Sequence, residues 1–465
     1  MRLFRRKTKT KTSSRKSIIQ NWFKFPSTEP NILNSSEIQS LSKISDPDSK
    51  NKILRTQARA LSTNTSLTNG FFELLASEIL GEQGMVLDVS TGNKDLDEKI
   101  ENSWFVWENR KNCCPYGLYD FEDLEEMVLI SLYRDGEAFL HFVKSKDSLK
   151  IELIDADAID NDYNNEEKNI KFGIKNEPNS IKPLEYYVRK SKQDLISIPA
   201  SDIIHIKKTL IPQQRRGISK LASSIFDTYQ KDSLKKAELD RSKISSSITG
   251  FFVKKEGNEY DDFGDEDDDS QKIEITDEAS VGRMKLLEAD LQPVFLPPYN
   301  PTNTEYFMKS TDREIARSLG ISYSTYTGDL REVNYSSIRQ GTISERRTFK
   351  RVQKFLIRKM HNEIFEKWLE FELLNRRLSP QEYNLIFHNF TFKPQGWEYI
   401  DPTKEVGANA KAIENGFKTR TEVLREKGIE VDTFLKDLEK DKQIVEKINE
   451  INKRKDDGIN WEAWC

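Results

Sequence analysis

The chain has 465 residues with 73 Lys+Arg against 77 Asp+Glu, a net charge of −4 that argues against a surface coated in positive charge to grip nucleic acid non-specifically. Apolar residues make up 36% and Phe alone occurs 25 times, so there is enough core material to exclude global disorder. No stretch approaches the roughly 18 apolar residues that would span a bilayer, and three cysteines (Cys113, Cys114, Cys465) cannot build a disulfide framework, which fits a reducing compartment.

The length corresponds to about three domains, and the charge is segregated along it. Residues 1–16 carry eight Lys/Arg and no acid, seven of the nine residues 261–269 are acidic, and residues 339–359 hold eight basic residues against Glu345 alone. Residues 1–50 are rich in Ser, Thr, Lys and Asn with scattered prolines, and read as a basic flexible arm; an organellar transit peptide is the lesser alternative. From 51 to 208 helical and strand patterns alternate, as in an α+β region. Asp120 is placed to cap a helix carrying Phe121, Leu124, Val128 and Leu132 on one face. Strands are expected at 138–143, 149–154, 170–174, 184–188 and 203–206.

A long helix with a narrow apolar stripe (Leu221, Ile225, Tyr229) is expected from 217 to 248, then a small insert with β-like pieces at 250–254, 272–275 and 293–296 and the acidic run at its tip. A second helix is expected at 303–319, a polar loop at 320–334, and a third, longest helix at 335–374 with the stripe Phe349, Val352, Leu356, Met360, Ile364, Trp368 and Phe371. A strand at 383–390 and a charged helical tail over 402–455 complete the reading.

Catalytic chemistry is hard to assemble. The four histidines (His141, His205, His361, His388) never occur in zinc-protease spacing, and neither a phosphate-binding G-x-x-x-x-G-K-[ST] loop nor a G-x-G-x-x-G turn is present. His205, in an apolar strand, is expected to be a satisfied structural residue. Cys113-Cys114 lacks metal or redox spacing and reads as a pair of buried or incidental thiols. The cluster Asp155, Asp157, Asp160 and Asp162, with Glu152 upstream, could hold a divalent ion in a nuclease; the plainer reading is a turn after a strand, where Asp is favoured for backbone reasons. The acidic run does not match a calcium loop. Long helices with narrow stripes suggest side-by-side packing of identical copies, which closes into a ring.

Specific residues then match a family. Ile315-Ala316-Arg317-Ser318-Leu319-Gly320-Ile321-Ser322-Tyr323 leads into Thr327-Gly328-Asp329 and Asn334-Tyr335-Ser336-Ser337 with Arg339. Around this run lie Asp120-Phe121, Arg134-Asp135-Gly136-Glu137, Ile203-Ile204-His205, Gln214, Arg216-Gly217-Ile218 and Leu221, and later Trp397, Ile400-Asp401-Pro402 and Lys404-Glu405. In this order, over about residues 55–446, the chain resembles the lambda-type portal proteins of tailed bacteriophages.

The resemblance implies an α+β portal fold that assembles into a ring, typically of twelve copies, at one capsid vertex. Double-stranded DNA passes through such a ring during packaging and ejection. It implies an arm (1–50), a wing (51–216), stem helices (217–248 and 303–320) and a clip (249–302). A tunnel loop (321–334), a long helix with the wing return (335–400) and a helical crown (401–465) follow.

The implied partners are further copies of the chain, DNA, the large terminase subunit, a head–tail adaptor and the major capsid and scaffold proteins, with no membrane. The implied location is the virion, with assembly in the host cytoplasm. Neither a catalytic residue nor a cofactor or metal is implied.

The tunnel loop (Tyr323, Ser324, Thr325, Thr327, Gly328, Asp329, Arg331, Asn334) would face the channel, where weak contacts without base readout suit sliding DNA. Arg331 could touch phosphates or pair with Asp329 or Glu332 of a neighbouring copy. The face of Arg346, Arg347, Lys350, Arg351, Lys354 and Arg358 could line the channel or pair with acids of the next subunit, the latter being favoured. The clip acids Asp261, Asp262, Asp265, Glu266, Asp267, Asp268 and Asp269 read plainly as a solvated, mobile, repulsive tip, and more sharply as a docking surface for a basic partner. Two departures from the family are the length of that acidic tip and an end at Trp464-Cys465, where members often continue.

Overall fold

The computed structural model describes residues 47–145, 148–191, 194–247, 250–254, 291–295, 302–331, 333–398, 400–427 and 431–456. The basic arm as far as residue 46 and the acidic tip of the insert lie outside the described residues, as does the strand expected at 272–275.

The chain opens with α1 (Pro47–Asn64) and α2 (Ser66–Ile79), then β1 (Met85–Val89), α3 (Lys94–Glu108) and the short α4 (Arg110–Cys113). The expected α5 (Phe121–Arg134) is present, and the anticipated cap at Asp120 is a full capping box with Asp123. Strands β2 (Glu137–Lys144), β3 (Leu149–Ile154) and β8 (Ile203–Lys207) form one antiparallel sheet in the order β3-β2-β8. A second antiparallel sheet is the meander β4 (Ile170–Lys171), β5 (Ile174–Asn176), β6 (Pro183–Arg189) and β7 (Leu195–Pro199). What was expected as one strand at 170–174 is therefore a tight hairpin, because Phe172 (φ 54°) and Gly173 (φ 75°) turn the backbone left-handed between β4 and β5.

Helix α6 (Ile225–Ser247) and α7 (Thr302–Leu319) flank a hairpin of β9 (Gly250–Lys254) and β10 (Leu291–Phe295). Thr304 donates to Glu238 at 3.0 Å and Lys231 pairs with Asp312, so numbering rises along one helix as it falls along the other and the pair is antiparallel. The first of these helices starts eight residues later than the expected 217. Residues 217–224 are held instead by a 3-10 turn (Lys220–Ser223) capped through the Ser219 hydroxyl.

After a short α8 (Tyr323–Thr327), the long helix comprises α9 (Tyr335–Leu356), a π turn over Ile357–His361 and α10 (Asn362–Leu374), in line with the expected span. Residues 383–390 are not a strand. Ser379 and Glu382 make a capping box with Pro380 in the first turn, so α11 (Pro380–Phe387) forms, and β11 (Phe390–Pro394) follows to pair with β1. The tail is helical as expected: α12 (Pro402–Glu414), α13 (Arg420–Glu426) and α14 (Val431–Asp456).

The larger core centres on Trp104, whose ring lies 5.3–5.9 Å from Phe121, Phe365, Trp368 and Phe392 and 4.5 Å from Trp107. It joins α2, α3, α5, the long helix and the β1–β11 pair. The stripe read from the sequence (Phe349, Val352, Leu356, Met360, Ile364, Trp368) is buried here. A smaller core (Phe139, Ile154, Ile159, Tyr186, Val188, Ile198) fills the space between the two wider sheets.

Between these cores sits a fully buried ionic hub. Glu137 Oε1 accepts from Arg216 Nε at 2.9 Å and Arg55 Nη1 at 3.0 Å; its Oε2 accepts from the Gly217 amide at 2.7 Å and lies 3.0 Å from His205 Nε2. The paired cations hold the Glu137 carboxyl well below the usual range against its burial. Burial pushes His205 down to about 4, so the ring is neutral. It is placed to donate from Nε2 to Glu137 and to accept at Nδ1 from the Tyr186 hydroxyl, 3.3 Å away. His205 is the satisfied structural histidine that its strand suggested.

The two sequence runs Arg134-Asp135-Gly136-Glu137 and Arg216-Gly217-Ile218 pack directly on each other. A Cβ at Gly136 (φ 89°) would lie 2.3 Å from the Ile218 carbonyl carbon, and one at Gly217 would lie 2.1 Å from the Gly136 oxygen. Replacing Glu137 with Gln would leave the buried Arg216 guanidinium without its carboxylate partner and Arg55 with Asp157 alone. Chemical denaturation of E137Q is expected to show a loss of about 3–5 kcal/mol, whereas a loss under about 1 kcal/mol would mean that the hub does not hold these segments together.

Candidate functional site

The segment joining α7 to the long helix is the main candidate site, and local chemistry explains its course. Gly320 (φ 91°) stops α7, with the Gly320 and Ile321 amides both donating to the Ala316 carbonyl at 3.0 and 3.1 Å. Ile321 is buried, and the Ser322 hydroxyl caps α8 by accepting from the Thr325 amide at 3.2 Å. Gly328 (φ 70°) ends that turn, its amide donating to the Ser324 carbonyl at 2.8 Å. Asn334 starts the long helix by accepting from the Ser337 amide at 2.9 Å. The segment expected as a loop therefore contains a helical turn, because its serines and threonines cap and back-bond at helical spacing.

Glu345, buried within α9, ties this turn down. Its Oε1 accepts from the Ser322 amide at 2.6 Å and from the Thr325 hydroxyl at 3.0 Å. Tyr326 is buried beside Thr68 of α2, and burial pushes its phenol up to about 12. Tyr323, Ser324, Thr325 and Thr327 are half-buried in the anchored turn, whereas Gly328, Leu330, Arg331 and Asn334 are exposed.

Arg331 forks onto Asp329 of the same chain, Nε to Oδ1 at 2.9 Å and Nη2 to Oδ2 at 3.0 Å. This pairing holds the Asp329 carboxyl well below the usual range. The partner expected in a neighbouring copy is thus two residues away in sequence. The acids Asp261, Asp262, Asp265, Glu266, Asp267, Asp268 and Asp269 lie outside the described residues.

The basic face of α9 divides in two. Arg347, Lys350, Arg351 and Lys354, with Arg358 of the following π turn, are exposed. Arg346 reaches across to Trp397, its guanidinium 5.6 Å from the ring centroid and its Nη1 donating to the Glu398 carbonyl at 3.0 Å. Lys350 lies 5.8 Å above the same ring, and Lys427 Nζ donates to the Trp397 carbonyl at 2.9 Å. The indole nitrogen donates to Glu78 at the end of α2, at 3.1 Å. Glu345, Tyr326 and Lys427 were not singled out from the sequence; the isolated Glu in a basic run was the one available signal.

The aspartate cluster is not organised around a cation site. Asp155 pairs with Arg59 at 2.9 Å, Asp157 with Arg55 at 2.7 Å and Arg59 at 2.9 Å, and Asp162 with Lys52 at 2.5 Å. Asp160 accepts from Arg189 Nε at 3.0 Å. Asp155 and Asp160 also accept from the amides of Asp157 and Asp162, the turn geometry that favours Asp. Cys113 and Cys114 are buried free thiols.

The family description "Phage portal protein, lambda family" matches residues 34–353, from ahead of α1 through the ionic hub, the α6–α7 pair and the anchored turn into α9. The chain belongs to this family of phage portal proteins. The "Probable portal protein" of Halomonas phage phiHAP-1 is 26% identical over 417 residues, covering 83% of this chain and 79% of the relative. A chain in the neck of an empty GTA particle computed with C6 symmetry has the same α+β fold, with a TM-score of 0.51 and 14% identity over 80% of this chain and 94% of that one. A chain in the neck of a native GTA particle computed with C12 symmetry gives 0.49 at 14% identity, over 80% and 93%. The portal-family match ends inside α9, so Trp397 and the Asp401-Pro402 signature lie beyond it.

In this portal-family chain Glu345→Ala removes the acceptor for the Ser322 amide. Amide exchange over residues 322–328 is expected to quicken about tenfold or more while β2 and β3 keep their protection; unchanged exchange would show that Glu345 does not anchor the turn.

Proposed function

We propose that this chain assembles with copies of itself into a ring at one capsid vertex, and that double-stranded DNA passes along the ring axis during packaging and ejection. The observation that carries the reading is the family match running unbroken through the antiparallel pair α6–α7, the hairpin between its helices, the turn at 320–334 and the start of α9. In this reading α6 and α7 are the stem, the β9–β10 hairpin belongs to an outward clip, the turn is the tunnel loop and α12–α14 form the crown. The two wider sheets with α1–α5 make up the wing. Terminase and a head–tail adaptor dock at the clip, with the acidic tip as the charged part of that surface. The ring belongs to the virion and assembles in the host cytoplasm.

The chemistry of the loop is consistent with passage rather than grip. The loop carries one cation, Arg331, already answered by Asp329, and a further acid, Glu332, so no copy offers DNA a net positive contact there. Phosphate contacts of that kind position a duplex without reading its sequence. The anchored half of the turn supplies a fixed base for the exposed residues beyond Gly328.

Deleting residues 327–334 tests this assignment. The variant is expected to keep the oligomeric mass of the wild type while particles assembled with it lose packaged DNA at least tenfold, measured by nuclease-protected DNA per particle. Loss of the oligomer, or normal DNA content, would remove the loop from that role.

A further inference from the structure

The proposed passage of DNA leaves unused a second charged feature, the pocket between α9, the Trp397 segment and the end of α13. It encloses about 280 Å³. Arg346, Arg347 and Lys350 come from one face of α9, at spacings of three and four residues, and Lys427 comes from beyond α13. Glu398 and Glu405 also line it, so among the described residues the lining sets four cations against two carboxylates.

Among the described residues none of Arg346, Arg347 and Lys350 makes an ion pair with either glutamate, and Arg346 Nε is buried without a hydrogen-bond acceptor. The exposed Arg347 and Lys350 side chains are each able to make a charge-assisted hydrogen bond to an oxyanion in the pocket. Burial holds the Lys427 amine below its usual value, with Arg346 adding to that and Glu405 and Glu398 opposing it. The Trp397 ring already carries Arg346 and Lys350 at 5.6 and 5.8 Å, and its N–H is committed to Glu78. A nucleobase therefore has little indole left to stack on, whereas an oxyanion meets cations from two directions.

We infer that this pocket is a binding site for a single phosphate group, held by Arg346, Arg347, Lys350 and Lys427 beside Trp397. The phosphate is either one of a DNA backbone or a free one. The first source rests on the proposed DNA passage and the second does not. Recognition is independent of sequence, since every contact offered is to charge and none is to a base edge.

The test uses the full-length chain and the double variant Arg347→Gln/Lys350→Gln, whose side chains make no hydrogen bond or ion pair among the described residues, with Lys94→Gln, exposed at the start of α3, as the control. Binding of three unrelated 20-bp duplexes is measured as salt is varied, and thermal unfolding is measured with and without inorganic phosphate. If DNA is the source, the double variant binds all three duplexes about tenfold more weakly, the loss of one charge-assisted contact. Its salt dependence falls by about one unit of slope, the value for one phosphate. If free phosphate is the source, duplex binding is unchanged and phosphate raises the melting temperature of the wild type and control but not of the variant.

A variant that matches the wild type with both reagents overturns the inference, and so does one that changes only the oligomeric mass, which would make the pocket a seat for a carboxylate of another copy. Neither result bears on whether the chain forms a ring with an axial channel, so the proposed function would survive the failure of this site.

Discussion

One buried carboxylate, Glu137, sets the geometry on which the rest depends. It lies at the start of β2 and gathers Arg55 from α1, His205 from β8, and Arg216 with the Gly217 amide from the segment that leads into α6. Arg216 also donates to the carbonyls of Ala156, Ile159 and Phe172, at 2.9, 3.2 and 3.0 Å, so the same contact fixes the turn before the second sheet. A buried charge set of this kind is strongly directional: with every member satisfied it permits one arrangement of four segments, and with one missing it is worse than an apolar core. The close backbone approach of Gly136 and Gly217 follows from it, because the chain must come within van der Waals distance for the Gly217 amide to reach Glu137.

From that hub the path to the candidate site is short. The segment beyond Gly217 starts α6, α6 lies against α7 through Lys231–Asp312 and Glu238–Thr304, and α7 delivers Ile315, Ala316 and Leu319 to the larger core. Gly320 then releases the chain, and Glu345 of α9 recaptures it at Ser322. The exposed tip of Gly328–Arg331 is thus held between two rigid supports, one from each side. A loop needs such supports if its contacts with a passing polymer are to be weak yet fixed in place.

Much of this was legible in the sequence. The stripe Phe349–Trp368 announced the long helix, Asp120 announced α5, and the alternating residues at 138–143, 149–154 and 203–206 announced the three-stranded sheet. The ordered motifs named the family because they mark the hub and the anchored turn, where side chains and backbone fit only one way. What stayed hidden was set by partners distant in sequence or by capping detail. The partners of Asp155, Asp157 and Asp162 stayed hidden because Lys52, Arg55 and Arg59 lie about a hundred residues earlier. Tyr383, Ile386 and Phe387 fit a strand or a helix equally until the Ser379–Glu382 box decides. The late start of α6 depends on Gly217 being drawn to Glu137, which no local pattern records. The pocket at Trp397 needs α9, the strand exit and α13 together, so its charges appeared only as part of a basic run.

The central claim is that identical copies of this chain close around an axis. Electron micrographs of the purified full-length protein, averaged in projection along that axis, test it most directly. The account predicts a closed ring with a central hole wide enough for a duplex, about 20 Å across or more. A single-copy particle at every concentration, or a closed assembly with no axial opening, would contradict it.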